Sequence, residues 1–134
     1  RSPQPKGKPI AVTTGLETLA TVDLLSSQGS DNLYTFRYSE TVDNVRIPVD
    51  LTAHAARAQI RSKVGGDLWL ELTDITLAAD GTIEVRIPHA ITEGDAWNVR
   101  RSGVWDLELT DPDGLKVRFA SGRVTVSPDV TRLA

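Results

Sequence analysis

Cysteine and methionine are both absent from the 134 residues. Without cysteine there is no disulfide framework and no thiolate metal site, so stability must come from packing. No apolar run approaches the roughly 20 residues that cross a bilayer, and the N-terminus lacks the charged, apolar and small-residue order of a secretory signal. A membrane partner is not expected. Because an initiator methionine is not normally removed before arginine, residue 1 is expected to be a processing point, a trimmed end or a cut from a longer chain. An excess of one charge is also missing. Lysine and arginine total 15 against 18 aspartates and glutamates, a net charge of −3, and the two signs are interspersed. That argues against a nucleic-acid partner, which calls for a basic stripe. Aromatic residues make up only 5%, so the position of each one carries information. What remains is one domain, long enough to bury a core unaided.

The clearest local pattern lies in residues 103–120. Trp105, Leu107 and Leu109 alternate with Asp106, Glu108 and Thr110. After Asp111-Pro112-Asp113-Gly114, Leu115, Val117 and Phe119 alternate with Lys116 and Arg118. Period two on both arms predicts a β-hairpin with one apolar face. Pro112 fixes φ, Asp111 bonds to its own turn, and Gly114 enters the left-handed region, which suits a type I turn closed by a bulge. Such a loop sets Leu109 opposite Val117, Leu107 opposite Phe119 and Glu108 opposite Arg118. A slip of one residue buries Lys116 and Arg118, so the register is well specified.

Further strands are expected at Thr21–Leu25, Leu33–Tyr38, Ala56–Arg61, Leu68–Leu72, Thr82–Ile87 and around Val124 and Val126. Tyr34, Phe36 and Tyr38 form a stripe at strand spacing and read as core. The alanines of 53–61 favour a helix, but Ala56, Ala58 and Ile60 alternate with Arg57, Gln59 and Arg61, which favours a strand. In 68–72 the three leucines face one way, leaving Trp69 and Glu71 on the other. Pro48–Leu51 reads as a turn or short edge segment. One helical turn fits Ala90–Glu93, and Gly122 permits a bulge. Residues 1–15, rich in proline and lysine, are expected to form an extended arm, and residues 16–132 a single sandwich domain. Seven or eight short strands with regular turn signals predict an all-β, antiparallel, immunoglobulin-like sandwich.

Chemistry-bearing motifs are scarce. His54 and His89 stand 35 positions apart, outside any ligand-spaced pair. No serine sits in a nucleophile setting, and no glycine cluster opens a helix to cradle phosphate. Asp111, Asp113 and Gly114 resemble half a calcium loop, but Ala120 stands where its glutamate belongs. These readings lead us to expect no catalytic residues, no metal, no cofactor and no small-molecule ligand. The exception is the loop holding Trp97, Arg100 and Arg101, a composition enriched at interfaces, with Trp69 a second aromatic on a polar face. These four residues are the candidate partner contacts. The bland alternative has Trp97 capping one end of the sandwich and a loop folding over Trp69.

The runs 104–114 and 121–132, with Gln28-Gly29-Ser30-Asp31-Asn32 and Val49-Asp50-Leu51-Thr52 upstream of 56–61, resemble a family of small β-sandwich proteins encoded by tailed bacteriophages. The resemblance covers most of residues 21–132. It implies a structural protein of the virion, of the tail or baseplate, similar to the N-terminal docking parts of upper baseplate proteins, with no catalytic residues to transfer. It further implies assembly in the bacterial cytoplasm and other virion proteins as homo- or hetero-oligomeric partners. A capsid decoration protein and a module binding host-surface carbohydrate are the alternatives.

Overall fold

In the computed structural model, described here for residues 8–9 and 20–130, nearly every expected strand is present. The strands are β1 (Lys8–Pro9), β2 (Ala20–Thr21), β3 (Leu24–Ser27), β4 (Asn32–Arg37), β5 (Ser39–Val42) and β6 (Val45–Pro48). They continue with β7 (Ala55–Arg61), β8 (Leu68–Leu72), β9 (Ile75–Leu77), β10 (Thr82–Ile87), β11 (Ser102–Thr110) and β12 (Lys116–Ser127). A short helix α1 (His89–Thr92) and a 3-10 turn (Asp95–Val99) lie between β10 and β11.

The large sheet runs β2-β12-β11-β7-β8, with β3 also on β12, and the second sheet runs β4-β10-β9. A third, small sheet runs β1-β5-β6. This is an all-β, immunoglobulin-like sandwich, mostly antiparallel. The exceptions are β2 and β3, which pair in parallel with β12. More and shorter strands form than the seven or eight expected, because breaks and bulges divide the chain. The expected arm 1–15 lies outside the described residues except for Lys8–Pro9, which pairs with Thr41 and Glu40.

The two main sheets meet through aromatic rings. Trp105 of β11 stacks on Phe36 of β4 at 5.7 Å, and Phe119 of β12 meets Phe36 at 6.4 Å and Tyr38 at 5.2 Å. The aromatic stripe of β4 is therefore core, as its spacing indicates. Leu107, Ile83 and Val124 are fully buried around it, with Ala58 and Ile60 of β7. The β7 segment is a strand despite its alanines, because the pleat buries Ala58 and Ile60 on one face.

The central hairpin closes as its turn residues dictate. Asp111 accepts the Gly114 amide on its backbone oxygen, and its Oδ1 accepts the amides of Asp113 and Leu115, with Gly114 at φ +88°. Leu109 faces Val117 and Glu108 faces Arg118, as expected. Leu107, however, faces Ala120 rather than Phe119. A bulge puts one extra residue into β12, which lets Phe119 and Ala120 both point inward and shifts everything beyond by one.

Gly122 is not the site of that bulge, and β12 continues through it. Its role is close approach, because a Cβ there would lie 2.0 Å from the Val22 carbonyl oxygen. The same oxygen accepts the Trp105 indole N–H at 2.7 Å. Thr21–Leu25 is accordingly two strands and not one, broken at Val22 and Asp23, where Asp23 Oδ1 takes the Arg123 amide in place of a backbone carbonyl. Pro48–Leu51 is in part the short edge segment expected, with Pro48 on an edge strand and residues 49–51 outside any strand. Pro48 ends β6, the return arm of a hairpin whose turn residues Asp43 and Asn44 both have positive φ.

Gly122→Ala should lower stability by roughly 1–3 kcal/mol, since the added methyl meets backbone and not a yielding side chain. Gly114→Ala, with open space around it, should cost only the left-handed backbone term of about 1–2 kcal/mol. Urea unfolding of both variants, read as midpoint with unchanged slope, tests the ranking.

Candidate docking surfaces

The loop between β10 and β11 is held by a buried polar joint. Gln28, 2% exposed, donates from Nε2 to Asn98 Oδ1 at 2.9 Å and accepts an Arg101 Nη2 hydrogen on Oε1 at 3.2 Å. The Gly29 amide donates to Oγ1 of fully buried Thr92 at 2.7 Å. Asp31 Oδ1 takes both the backbone amide and the ring Nδ1 of His89. The block 28–32 thus fastens α1 and the 3-10 turn to the end of the sandwich, and His89 is part of that fastening.

On this base three of the four expected contact residues come together, while Arg101 stays in the polar joint. Trp69 and Trp97 meet edge to face at 6.1 Å, and the Arg100 guanidinium lies 4.8 Å from the Trp97 ring centre and 5.7 Å from that of Trp69. Arg100 also donates to the Trp69 carbonyl. Trp97 is only 4% exposed, and Trp69 is half-buried. Trp69 is covered by the loop that carries Trp97, the bland alternative, and it turns that way because β8 carries a bulge. Arg61 pairs with Leu68 and Ile60 with Leu70, so Trp69 is the extra residue. Its ring folds over Gly103, where a Cβ would lie 2.6 Å from it, and Leu68 is left 45% exposed instead of inward. The rings of this cluster therefore cap the sandwich, with Arg100 at their margin.

Two further surfaces were not legible from the sequence. At the opposite end, a groove of about 820 Å³ runs between β5–β6 and the β11–β12 hairpin, lined by Tyr38, Val42, Ile47, Leu109, Leu115 and Val117 among others. Val45, Ile47 and Leu115 on or near it are 58%, 45% and 64% exposed. The second is a concavity of about 390 Å³ on the outer face of the large sheet, lined by Gln59, Arg61, Val64, Val104, Asp106, Arg118 and Arg123 with their neighbours. Asp106, at its floor, is held above the usual carboxylate range by burial, against the pull of Arg118. The outward alternation of these arginines was visible in the sequence, but their meeting across strands was not.

No family model and no curated protein matches this chain. Among solved structures, the Drosophila OTK extracellular domains 3–5 are similar at 16% identity and a TM-score of 0.34, over 78% of this chain and 32% of that one.

Among the described residues no group of histidine, cysteine, aspartate and glutamate is placed to hold a metal. Carboxylates are instead engaged locally. Asp31 lies below its ordinary range through the His89 amide, Asp50 through the Thr52 amide, Asp80 through the Thr82 hydroxyl, and Glu71 through the Arg57 guanidinium.

Two outcomes follow. Each lowered carboxylate contributes stability that is complete above its unfolded pKa and is lost as pH falls through the depressed folded value. Melting temperature should therefore drop below about pH 4, and Asp31→Asn should flatten that limb. Asp106 has the opposite sign: its contribution is present below its unfolded pKa and lost as pH rises through the raised folded value. Asp106→Asn should be neutral or stabilising at neutral pH and give no gain in acid. Separately, Arg100→Ala should cost about 1–2 kcal/mol and red-shift tryptophan emission as water reaches Trp69.

Proposed function

We propose that the chain is a non-enzymatic structural module acting by rigid protein–protein docking, and that it belongs to the virion of a tailed bacteriophage, as part of its tail, baseplate or tail tip. The observation that carries the docking reading is the pairing of a closed interior with open apolar edges. The described polar clusters join one loop to another, whereas Val45 and Ile47 on edge strand β6, with Leu115 at the hairpin tip, present apolar side chains beside a groove. Exposed apolar surface of this kind awaits a partner, and an edge strand offers unpaired backbone to it.

The phage assignment rests on the sequence resemblance in the hairpin block and its flanks. Its partners are other virion proteins, met as the particle assembles in the bacterial cytoplasm. A capsid decoration protein shares the same docking physics. Carbohydrate binding is less well supported, because Trp97 is buried and Trp69 packs against it and Arg100, leaving neither ring as an open stacking platform.

Antibody raised against residues 20–130, applied to particles of the phage that encodes the chain, should give immunogold label at the tail end. Label over the head makes it a decoration protein. Absence from both intact and disrupted particles overturns the virion reading.

A further inference from the structure

The strand register sorts the outer face of the large sheet into rows. Arg57 (β7), Glu108 (β11) and Arg118 (β12) form one, and Gln59, Asp106 and Ser121 the next. Arg61, Val104 and Arg123 form a third. In the first two rows the central strand supplies a carboxylate, Glu108 between Arg57 and Arg118, and Asp106 within reach of Arg118 from the next row. Arg57 pairs with Glu71 at 3.1 Å and Arg118 with Asp106 at 3.7 Å. In the third row the central residue is valine. Two guanidinium groups thus flank an apolar side chain with no acid between them.

Their states differ in a useful way. Arg61 donates from Nε and Nη2 to Gln59 Oε1, at 3.1 and 2.9 Å, and from Nη1 to the Gly66 carbonyl at 2.9 Å. Gln59 is in turn held through its amide to Glu71 Oε1 at 2.6 Å. Three of the five N–H groups of Arg61 are thereby engaged and its plane is fixed, with two left over. The Arg123 guanidinium makes no hydrogen bond or ion pair among the described residues, and its backbone amide is bound to Asp23 Oδ1. Strands two apart lie about 10 Å from each other, a gap that two arginine side chains close around one carboxylate. Beside them Val64 is 89% exposed and lines the same concavity.

We propose that this row is the docking site for an acidic protein segment, with one glutamate or aspartate seated over Val104 between Arg61 and Arg123. The methylenes of that residue lie on Val104 and Val64, and its carboxylate takes the free N–H groups of both arginines. Pre-orientation of Arg61 reduces the ordering cost of such a bond, and charge-assisted pairs are the stronger kind. Charge favours a protein segment over a nucleic acid. Asp106 and Glu108 follow on the same face and repel a phosphate chain, whose backbone carries its charges along the whole contact, whereas in an extended peptide alternate carboxylates point away from the sheet and leave those rows free. The site gives the docking reading a partner chemistry and rests on that reading.

The test uses the full chain and a fluorescein-labelled hexaglutamate peptide, read by anisotropy, with hexaglutamine and a thymidine hexanucleotide as comparators. Hexaglutamate should bind, with affinity falling about tenfold between about 50 and 300 mM salt. Arg123→Glu and Arg61→Gln should each weaken it about tenfold, while Asp106→Asn tightens it a few-fold by removing a repelling charge from the adjoining row. Arg37→Glu, on the other sheet, should leave it unchanged. An unfolding midpoint for each variant separates lost binding from lost fold, and the gain in Asp106→Asn does not depend on any variant failing. Binding of hexaglutamine as tight as hexaglutamate, preference for the oligonucleotide, equal loss in Arg37→Glu, or no hexaglutamate binding at low salt overturns the proposal. Those outcomes leave particle labelling untouched, and unlabelled particles with peptide binding intact overturn the virion reading alone.

Discussion

Trp105 is the residue on which the sandwich closes. Its ring stacks on Phe36 across the core, and its indole N–H binds the Val22 carbonyl between β2 and β3. A buried indole needs that acceptor, because an unpaired polar group in the interior costs about 1–3 kcal/mol. Meeting the need forces the backbone at Val22 close to β12, and only glycine at position 122 leaves room. At that approach residues 21–25 break into β2 and β3, both of which pair in parallel with β12. In a chain without cysteine, the two main sheets are joined by packing of this kind and not by a disulfide.

A second constraint acts at the end of the sandwich. The connection from β10 to β11 is long and must be carried over exposed sheet ends, so it is tied down by polar contacts. Gln28 bonds to both Asn98 and Arg101 there, Thr92 takes the Gly29 amide, and Trp97 fills the space beneath. A fully satisfied polar network of this kind fixes one geometry, since any partial version leaves buried groups unpaired. The tryptophan and arginine that mark an interface by composition serve here in closing the end of the fold.

Much of this was legible in the residues. The hairpin at 103–120, the aromatic stripe of β4, the strand at Ala55–Arg61 and the helical turn after Pro88 all follow from period and turn chemistry, and the structure has them. Three of the misses share one cause. The shift at Phe119, the inward turn of Trp69 and the exposure of Leu68 all come from bulges, and a single extra residue reverses which face every later side chain occupies. The hairpin of β5 and β6 was overlooked although Asp43-Asn44, two residues tolerant of positive φ, marked its turn.

The sequence alone determined the fold class, the core faces of individual strands and the central turn, because these depend on neighbours two to four residues apart. It also determined the want of motif chemistry, since spacing is read directly. Only the tertiary structure decided which strands lie side by side, and with that which side chains meet. The row of Arg61, Val104 and Arg123 joins three strands, and the cluster of Trp69, Trp97 and Arg100 joins a bulge to a loop. Such groupings depend on register across the sheet, which is fixed by packing of the whole core and is written in no single segment.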